Sequence, residues 1–188
     1  MTKALRCGLL LMGVLFEATA TAAARTNNIC EREMISAAVT EGVPLGVLYA
    51  VAMTESGRKG MLHPYALNIE GRTVFASSKR EALLEFARAR DSGKVLIDLG
   101  CMQINHHYHG QEFSSVDAML EPATNVRYAA RFLRDLRHRE GSWAMAVARY
   151  HAGPNNNPAQ KRYICAVIRN LVTTGFGGWT PQARQFCR

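Results

Sequence analysis

The sequence predicts a mainly α-helical α+β domain with a small two-stranded extended patch. Apolar residues recur at helical spacing in most segments, with Ser, Pro and Gly where helices should begin and end. Only two short runs, Arg72 to Phe75 and Val95 to Leu99, are β-branched or apolar enough for strands. With 188 residues, 48% of them apolar, the chain suits one ordinary domain. We find no repeat and no internal domain boundary.

Six helices are predicted, and most have a recognisable first residue. Ser78 followed by Glu81 forms a capping box. Pro122 opens the longest helix, and Ser142 caps the next one. The tail from Gly175 is Gly-rich and is expected to stay irregular as far as the last cysteine. In chain order, the helices are expected to begin near Glu31, Pro44, Ser78, Pro122, Ser142 and Pro158.

The N-terminal segment predicts a cleavable secretory signal. A basic start precedes the ten-residue apolar run from Cys7 to Phe16, and small residues follow. That run is too short for a bilayer span, which takes about 20 apolar residues. We therefore expect residues 1–24 to be removed, residues 25–188 to form the exported domain, periplasmic or extracellular, and the mature chain to lack a transmembrane segment. The candidate cleavage positions are Ala20, Ala22 and Ala24.

Removal of the signal would leave four cysteines. An even number in an exported protein predicts two disulfides, and the sequence leaves all three pairings open. The wide spacings differ from the close C-x-x-C pairs of zinc sites. The cysteines are Cys30, Cys101, Cys165 and Cys187.

The charge of the chain indicates a polyanionic partner. Its formal net charge is +8 and its pI is about 9.6. Because an exported protein is separated from nucleic acid, we expect a different polyanion and no nucleic-acid partner.

Glu55 is the first candidate for chemistry, at the end of an apolar helix in Ala-Met-Thr-Glu-Ser-Gly. A general acid must hold its proton near neutral pH. Burial beside apolar groups and the partial negative charge at a helix C-terminus both favour the protonated form of a carboxyl group. Taken alone, such a glutamate is ordinary, so the interpretation depends on the segments that follow.

Three further segments make the pattern specific. They are Gly-Cys-Met-Gln-Ile-Asn at 100–105, Ala-Arg-Tyr-His-Ala-Gly at 148–153, and Tyr163. Together with Glu55 and Ser56 they resemble, in order, four blocks of the lysozyme-like catalytic domain of the soluble lytic transglycosylases. Those blocks are Glu-Ser, Gly-Leu-Met-Gln, Ala-Tyr-Asn-Ala-Gly and a following Tyr. Asn-Val-Arg at 125–127 is also similar to the family's helix start before the third block, and the likeness runs from about Gly46 to Leu171.

The resemblance implies a role for each matching residue. Glu55 would be the only catalytic carboxylic acid, with Ser56 as its companion at the helix end. Met102 and Gln103 would touch the sugar, while Tyr150 and Tyr163 would line the site.

Three features depart from the family pattern. Cys101 replaces the usual Leu, which suggests a local disulfide. His151 replaces an Asn, whose hydrogen bond an imidazole can also make, so we include it among the substrate-binding residues. The segment between Glu55 and Gly100 is long and is expected to add a helix at one edge of the sugar cleft.

The implied reaction cleaves the β-1,4 bond between N-acetylmuramic acid and N-acetylglucosamine in peptidoglycan and forms a 1,6-anhydro sugar. One carboxyl group serves as acid and then as base, so no second carboxylate, metal or cofactor is expected. Members of this family often open the wall for secretion or motility assemblies, but no residue here identifies such a partner.

Two other function classes stay open. A lysozyme-type muramidase, which is a hydrolase, would need a second carboxylate beside Glu55, and Asp98 or Glu70 could supply it. We interpret Asp98 as a structural hydrogen-bond acceptor in a strand. A non-catalytic glycan-binding protein of the cell envelope would have no need for a buried acid.

Some other side chains suit ordinary structural roles. His106, His107 and His109 lie close together, but no HExxH motif or further ligand accompanies them, and we favour a polar cleft or surface loop over a zinc site. Phe132 and Trp143 lie at helical spacing and are expected in the core.

Overall fold

The computed structural model describes residues 27–152 and 157–188. The predicted signal over 1–24, its cleavage positions, and Gly153 of the third block lie outside these residues. No helix in the described ranges combines the length and apolarity that crossing a membrane requires. In chain order, the elements are α1 (Ile29–Glu41), α2 (Leu45–Glu55), β1 (Ala66–Ile69), β2 (Arg72–Phe75), α3 (Lys79–Asp91), β3 (Ile97–Leu99), β4 (Ile104–Asn105), α4 (His106–His109), α5 (Val116–Met119), α6 (Pro122–Glu140), α7 (Trp143–His151), α8 (Asn157–Thr173) and α9 (Pro181–Phe186).

The predicted helix ends are largely confirmed. The Ser78 side chain accepts a hydrogen bond from the Glu81 amide at 3.2 Å, and the Glu81 carboxylate accepts one from the Ser77 amide at 2.8 Å. Pro122 is the first residue of α6, and Gly141 ends that helix in the left-handed conformation with φ of 79°. The mainly helical fold is therefore as expected.

The small sheet has four antiparallel strands rather than two, in the order β2-β1-β3-β4. The prediction missed β1, which lies between β2 and β3 in the sheet, because Ala-Leu-Asn-Ile is not a β-branched run. β3 begins at Ile97, two residues later than predicted. The register places Asn68 of β1 and Asn105 of β4 on either side of Asp98 in β3.

The core lies between the helices and one face of the sheet. Helix α6 packs against α1 and α7, and α2 packs against α1 and α8. The middle of α2 is apolar on nearly every side, which suits a helix surrounded by protein. Its fully buried residues are Leu48, Ala50, Val51 and Ala52.

The two disulfides are Cys30–Cys101 and Cys165–Cys187. The first joins the start of α1 to the turn after β3 across 71 residues of sequence, so the partner of Cys101 is not local as the resemblance suggested. The second holds the C-terminal tail against α8. That tail was expected to be irregular and instead contains α9, where Thr180 accepts a hydrogen bond from the Ala183 amide.

Candidate active site

An open cleft of about 440 Å³ lies where the sheet meets the helical part of the domain. Glu55, at the C-terminus of α2, and Asp98, on β3, both line this cleft. The β1–β2 turn and the α4 segment form the rim, and α6 and α7 contribute aromatic side chains. Its other lining residues include Asn68, Glu70, Gln103, Asn105, Tyr108, His109, Phe132, Tyr150 and His151.

The Glu55 side chain is 16% exposed, and its carboxyl group has its contacts on one oxygen. The Tyr163 hydroxyl donates a hydrogen bond to Oε1 at 2.5 Å, and His151 Nδ1 lies 3.8 Å from the same atom. Within the described residues, Oε2 has no hydrogen-bond partner. This arrangement holds the carboxyl group in place and leaves one oxygen for a ligand in the cleft.

His151 and Tyr163 stack face to face beside this carboxyl group. Their ring centroids are 4.2 Å apart and the planes differ by 3°. The nearby Glu55 carboxylate raises the pKa of His151, and burial opposes this only in part. Burial raises the pKa of Tyr163 well above its usual value, and the nearby Glu55 charge adds to this effect. Tyr163 is 95% buried and does not line the cleft, whereas His151 does.

The Gly-Cys-Met-Gln block forms a tight turn beside Glu55. The Ser56 hydroxyl donates to the Cys101 carbonyl at 2.7 Å, and the Tyr150 hydroxyl donates to the Met102 carbonyl at 2.7 Å. Gln103 adopts a φ of 46°, and its side-chain amide donates to the carbonyls of Ala66 and Gly100. Two of the predicted site residues, Ser56 and Tyr150, thus support the turn.

The Met102 side chain differs from its expected position. It is fully buried in the core and does not line the cleft, so it was wrong to expect that side chain to touch the sugar. The Met102 amide donates to Asn125 and its carbonyl accepts from Tyr150, and these two bonds hold the backbone in a turn whose Met102 side chain packs in the core. Gln103, the next residue, does line the cleft.

Asn125, in the first turns of α6, is the residue that the sequence marked without assigning a role. It is fully buried, accepts from the Met102 amide, and donates to the carbonyls of Leu99 and Met119, each at 2.9 Å. A Cβ on Gly100, which has φ of 83°, would come within 2.6 Å of Asn125 Nδ2. Glycine at 100 therefore allows the amide to reach this turn.

Asp98 is positioned by two asparagines that sequence reasoning did not assign. Its carboxylate accepts from Asn105 Nδ2 at 2.7 Å and from Asn68 Nδ2 at 3.1 Å, and all three residues line the cleft. Burial raises the pKa of Asp98, and the charge of Glu55 contributes to the same shift. Asp98 is a hydrogen-bond acceptor, as expected, but it also faces the cleft.

Glu70 lies at the rim, in the β1–β2 turn. It pairs with Lys94 Nζ at 3.0 Å and accepts from the Val95 amide at 3.0 Å. The Val95 amide and Lys94 lower the pKa of Glu70. These contacts turn its carboxylate toward the α3–β3 loop.

Of the three α4 histidines, only His109 is among the residues that line the cleft. Its Nδ1 lies 2.8 Å from the Tyr128 hydroxyl. No group of three potential metal ligands was found in the described parts of the chain. Trp143 packs against the core as expected, but Phe132 lines the cleft, so its assignment to the core was wrong. Helical spacing could not show which side of α6 stays open.

A helix-rich domain with a small antiparallel sheet, and a carboxylic acid at the cleft between them, defines a lysozyme-like α+β domain. The family model described as the transglycosylase SLT domain matches residues 33–167, and the chain belongs to that family. The resemblance to the soluble lytic transglycosylases is thereby confirmed. Neither the curated proteins nor the solved structures gave a match. The family places the chain among peptidoglycan-acting proteins of the lytic transglycosylase type.

Proposed function

We propose that the protein cleaves the MurNAc-β-1,4-GlcNAc bond of peptidoglycan and releases a 1,6-anhydro-MurNAc end, with Glu55 as its single acid and base. The observation that carries this proposal is the position of Glu55. Glu55 is the last residue of α2 and lies at the cleft. Its Oε1 accepts a hydrogen bond from Tyr163, and its Oε2 has no hydrogen-bond partner within the described residues.

The proposed reaction uses one carboxyl group twice, first as the acid and then as the base. Protonated Glu55 gives its proton to the glycosidic oxygen as the bond to the muramyl C1 breaks, which leaves oxocarbenium character at C1. The Glu55 carboxylate then takes the proton of the C6 hydroxyl while that oxygen bonds to C1, so the acid is restored. Tyr163 and His151 stabilise the carboxylate between the two transfers, since hydrogen bonds and positive charge favour the ionised form.

The other candidate residues would act on the glycan or on the turn that binds it. Gln103 and His151 line the cleft and are proposed to contact the sugar. Tyr150 lines it too, although its hydroxyl is committed to Met102. Export fits the two disulfides, which persist in oxidising compartments. No described residue identifies a secretion or motility partner.

Asp98 favours a second candidate, a lysozyme-type hydrolase. A carboxylate held by amide donors and facing an acid across a glycan cleft is the arrangement by which two-carboxylate glycosidases stabilise C1 or attack it. We retain the transglycosylase as the main proposal because the matching family model is that of the transglycosylase SLT domain.

The products distinguish the two candidates. Purified sacculi are digested with the protein, and the released muropeptides are analysed by mass spectrometry. The transglycosylase gives anhydro ends, which are lighter by one water than the reducing ends that a hydrolase gives.

The Asp98→Asn variant provides the second readout. Substantial activity and unchanged anhydro products support Glu55 acting alone, since the C6 hydroxyl is the nucleophile. Loss of turnover in a stably folded Asp98→Asn protein, with reducing ends from the parent protein, would establish the hydrolase instead.

A further inference from the structure

A second pocket of about 330 Å³ lies on α6 beside the cleft, and we call it the α6 pocket. Phe113 and Tyr128 provide its aromatic surface, while Arg127, Arg131 and Glu112 provide its charges. The Phe113 and Tyr128 rings lie 4.8 Å apart. Neither the catalytic proposal nor the sequence analysis gave this pocket a role.

The α6 pocket and the cleft share an aromatic wall. The Tyr128 hydroxyl lies 2.8 Å from Nδ1 of His109, which lines the cleft. The Tyr128 ring also stacks on Phe132, another cleft residue, with centroids 6.3 Å apart and planes 19° apart. A ligand in the cleft that carried a branch at this end would therefore place the branch near the α6 pocket.

The two arginines lie one helical turn apart on the same side of α6. Both are exposed, and the Arg131 guanidinium lies 5.6 Å from the centroid of the Tyr128 ring. Within residues 27–152 and 157–188, neither guanidinium group has an ion-pair partner. Two guanidinium groups in this position suit a planar carboxylate, which arginine binds through two parallel hydrogen bonds.

Glu112 adds one negative charge to the same pocket. Burial raises the pKa of Tyr128, the Glu112 charge adds to this shift and the Arg131 charge opposes it, so the acid and the arginine both lie near the Tyr128 hydroxyl. Two cations and one anion on an aromatic surface complement a ligand that carries carboxylates and an ammonium group. The stem peptide on the muramyl lactyl ether has this composition.

We propose that the α6 pocket binds the stem peptide of peptidoglycan, with Arg127 and Arg131 on its carboxylates. The inference rests on the proposed function in that peptidoglycan is the ligand of the adjoining cleft. It adds to that function a preference for glycan that still carries peptide.

Binding is measured by calorimetry with two tetrasaccharides, one bearing stem peptides and one from which an amidase has removed them. The protein is the full chain with Glu55→Gln, which does not consume the ligand. We expect about tenfold tighter binding of the peptide-bearing tetrasaccharide, the value of one charge-assisted contact. Introducing R127Q and R131Q should abolish this preference and leave the affinity for the bare glycan within about twofold.

The matched control is R80Q with R162Q, which removes the same two charges from exposed positions on α3 and α8. It should keep the preference, because those arginines lie outside the pocket. The conservative variant R131K keeps the charge but loses the planar fork, and it should lower the preference in part. Thermal midpoints of all variants show that they are folded.

Three results would overturn the proposal: equal binding of both tetrasaccharides by the parent protein, a preference that survives R127Q with R131Q, or an equal loss in the control. The last would assign the preference to long-range attraction between the basic protein and an anionic polymer. Binding of peptide-bearing glycan without any cleavage by the protein with Glu55 intact would refute the proposed function and leave this inference standing.

Discussion

At the scale of single residues, the candidate site is one carboxyl group and the groups that fix it. Tyr163 and His151 approach the same oxygen of Glu55, and their rings stack at 4.2 Å. The other oxygen is left for the substrate. This asymmetry is the main physical reason to assign the proton transfers to Glu55.

We predict that Glu55→Gln lowers wall cleavage by about a hundredfold or more, the usual contribution of a general acid. A glutamine amide oxygen still accepts from Tyr163, so the thermal midpoint should stay close to that of the parent protein. Turbidity loss of purified sacculi measures the activity. Glu70→Gln is the matched control, since it makes the same change at the cleft rim and should retain substantial activity. Near-normal turnover of a folded Glu55→Gln protein would remove Glu55 from its role.

The second prediction concerns the pH dependence of His151. Its pKa lies above the ordinary 6.5, mainly through the Glu55 carboxylate 3.8 Å away; burial opposes this shift and the Asp98 charge adds to it. Because the folded state holds the proton more tightly, the stabilisation is fully present below the unfolded pKa and is lost as pH rises through the folded pKa. We therefore expect His151→Asn to lower the thermal midpoint more in mildly acidic buffer than in mildly alkaline buffer.

The control for that titration is the same substitution in a Glu55→Gln background. Without the carboxylate, the pH-dependent part of the His151 effect should largely disappear. A midpoint difference that is constant, or that grows with pH, would contradict the raised pKa. NMR titration of the imidazole gives the direct measurement.

At the scale of elements, the first turns of α6 determine the shape of the turn after β3. The Asn125 side chain accepts a hydrogen bond from one backbone amide and donates to two backbone carbonyls of neighbouring segments, and Gly100 leaves the space for it. This turn places Gln103 at the cleft. A buried side chain far from Glu55 in sequence thus controls part of the cleft wall.

We predict that Asn125→Ala lowers the free energy of unfolding by about 3 kcal/mol, because buried amide and carbonyl groups lose their partners. Activity of the fraction that stays folded should also fall, since the Gln103 turn loses its support. Thr124→Ala, at the preceding exposed position, is the control for the change in helix composition and should alter the denaturant midpoint little. Equal midpoints for Asn125→Ala and Thr124→Ala would disprove the account.

At the scale of the whole molecule, two covalent links constrain very different lengths of chain. Cys30–Cys101 closes 71 residues and includes the turn beside Glu55, whereas Cys165–Cys187 closes 22 residues at the C-terminus. Loop-closure entropy gives about 4 and about 3 kcal/mol for the two. The longer link therefore affects both stability and the site.

We predict that replacing Cys30 and Cys101 by Ala destabilises the fold more than replacing Cys165 and Cys187, and that only the first pair of substitutions lowers cleavage of sacculi. Chemical unfolding and turbidity assays compare the two double variants directly. Thiol titration of the denatured, unreduced mature protein should detect no free cysteine. Two reactive thiols per chain, or the opposite order of stabilities, would contradict the pairing or its energetic role.

The sequence by itself determined the helical class, most helix starts and the family, and it marked Glu55 as the candidate acid. These follow from local chemistry, since caps, periodicity and short motifs are contained in a few neighbouring residues. Tertiary structure alone decided the disulfide pairing, the β1 strand and the positions of Met102 and Phe132. Each of these depends on which distant segments meet. The same is true of the contact between Glu55 and Tyr163, which are 108 residues apart, and of the two asparagines that flank Asp98. Such approaches are set by packing of α2 against α8 and by strand register, and no local pattern records them.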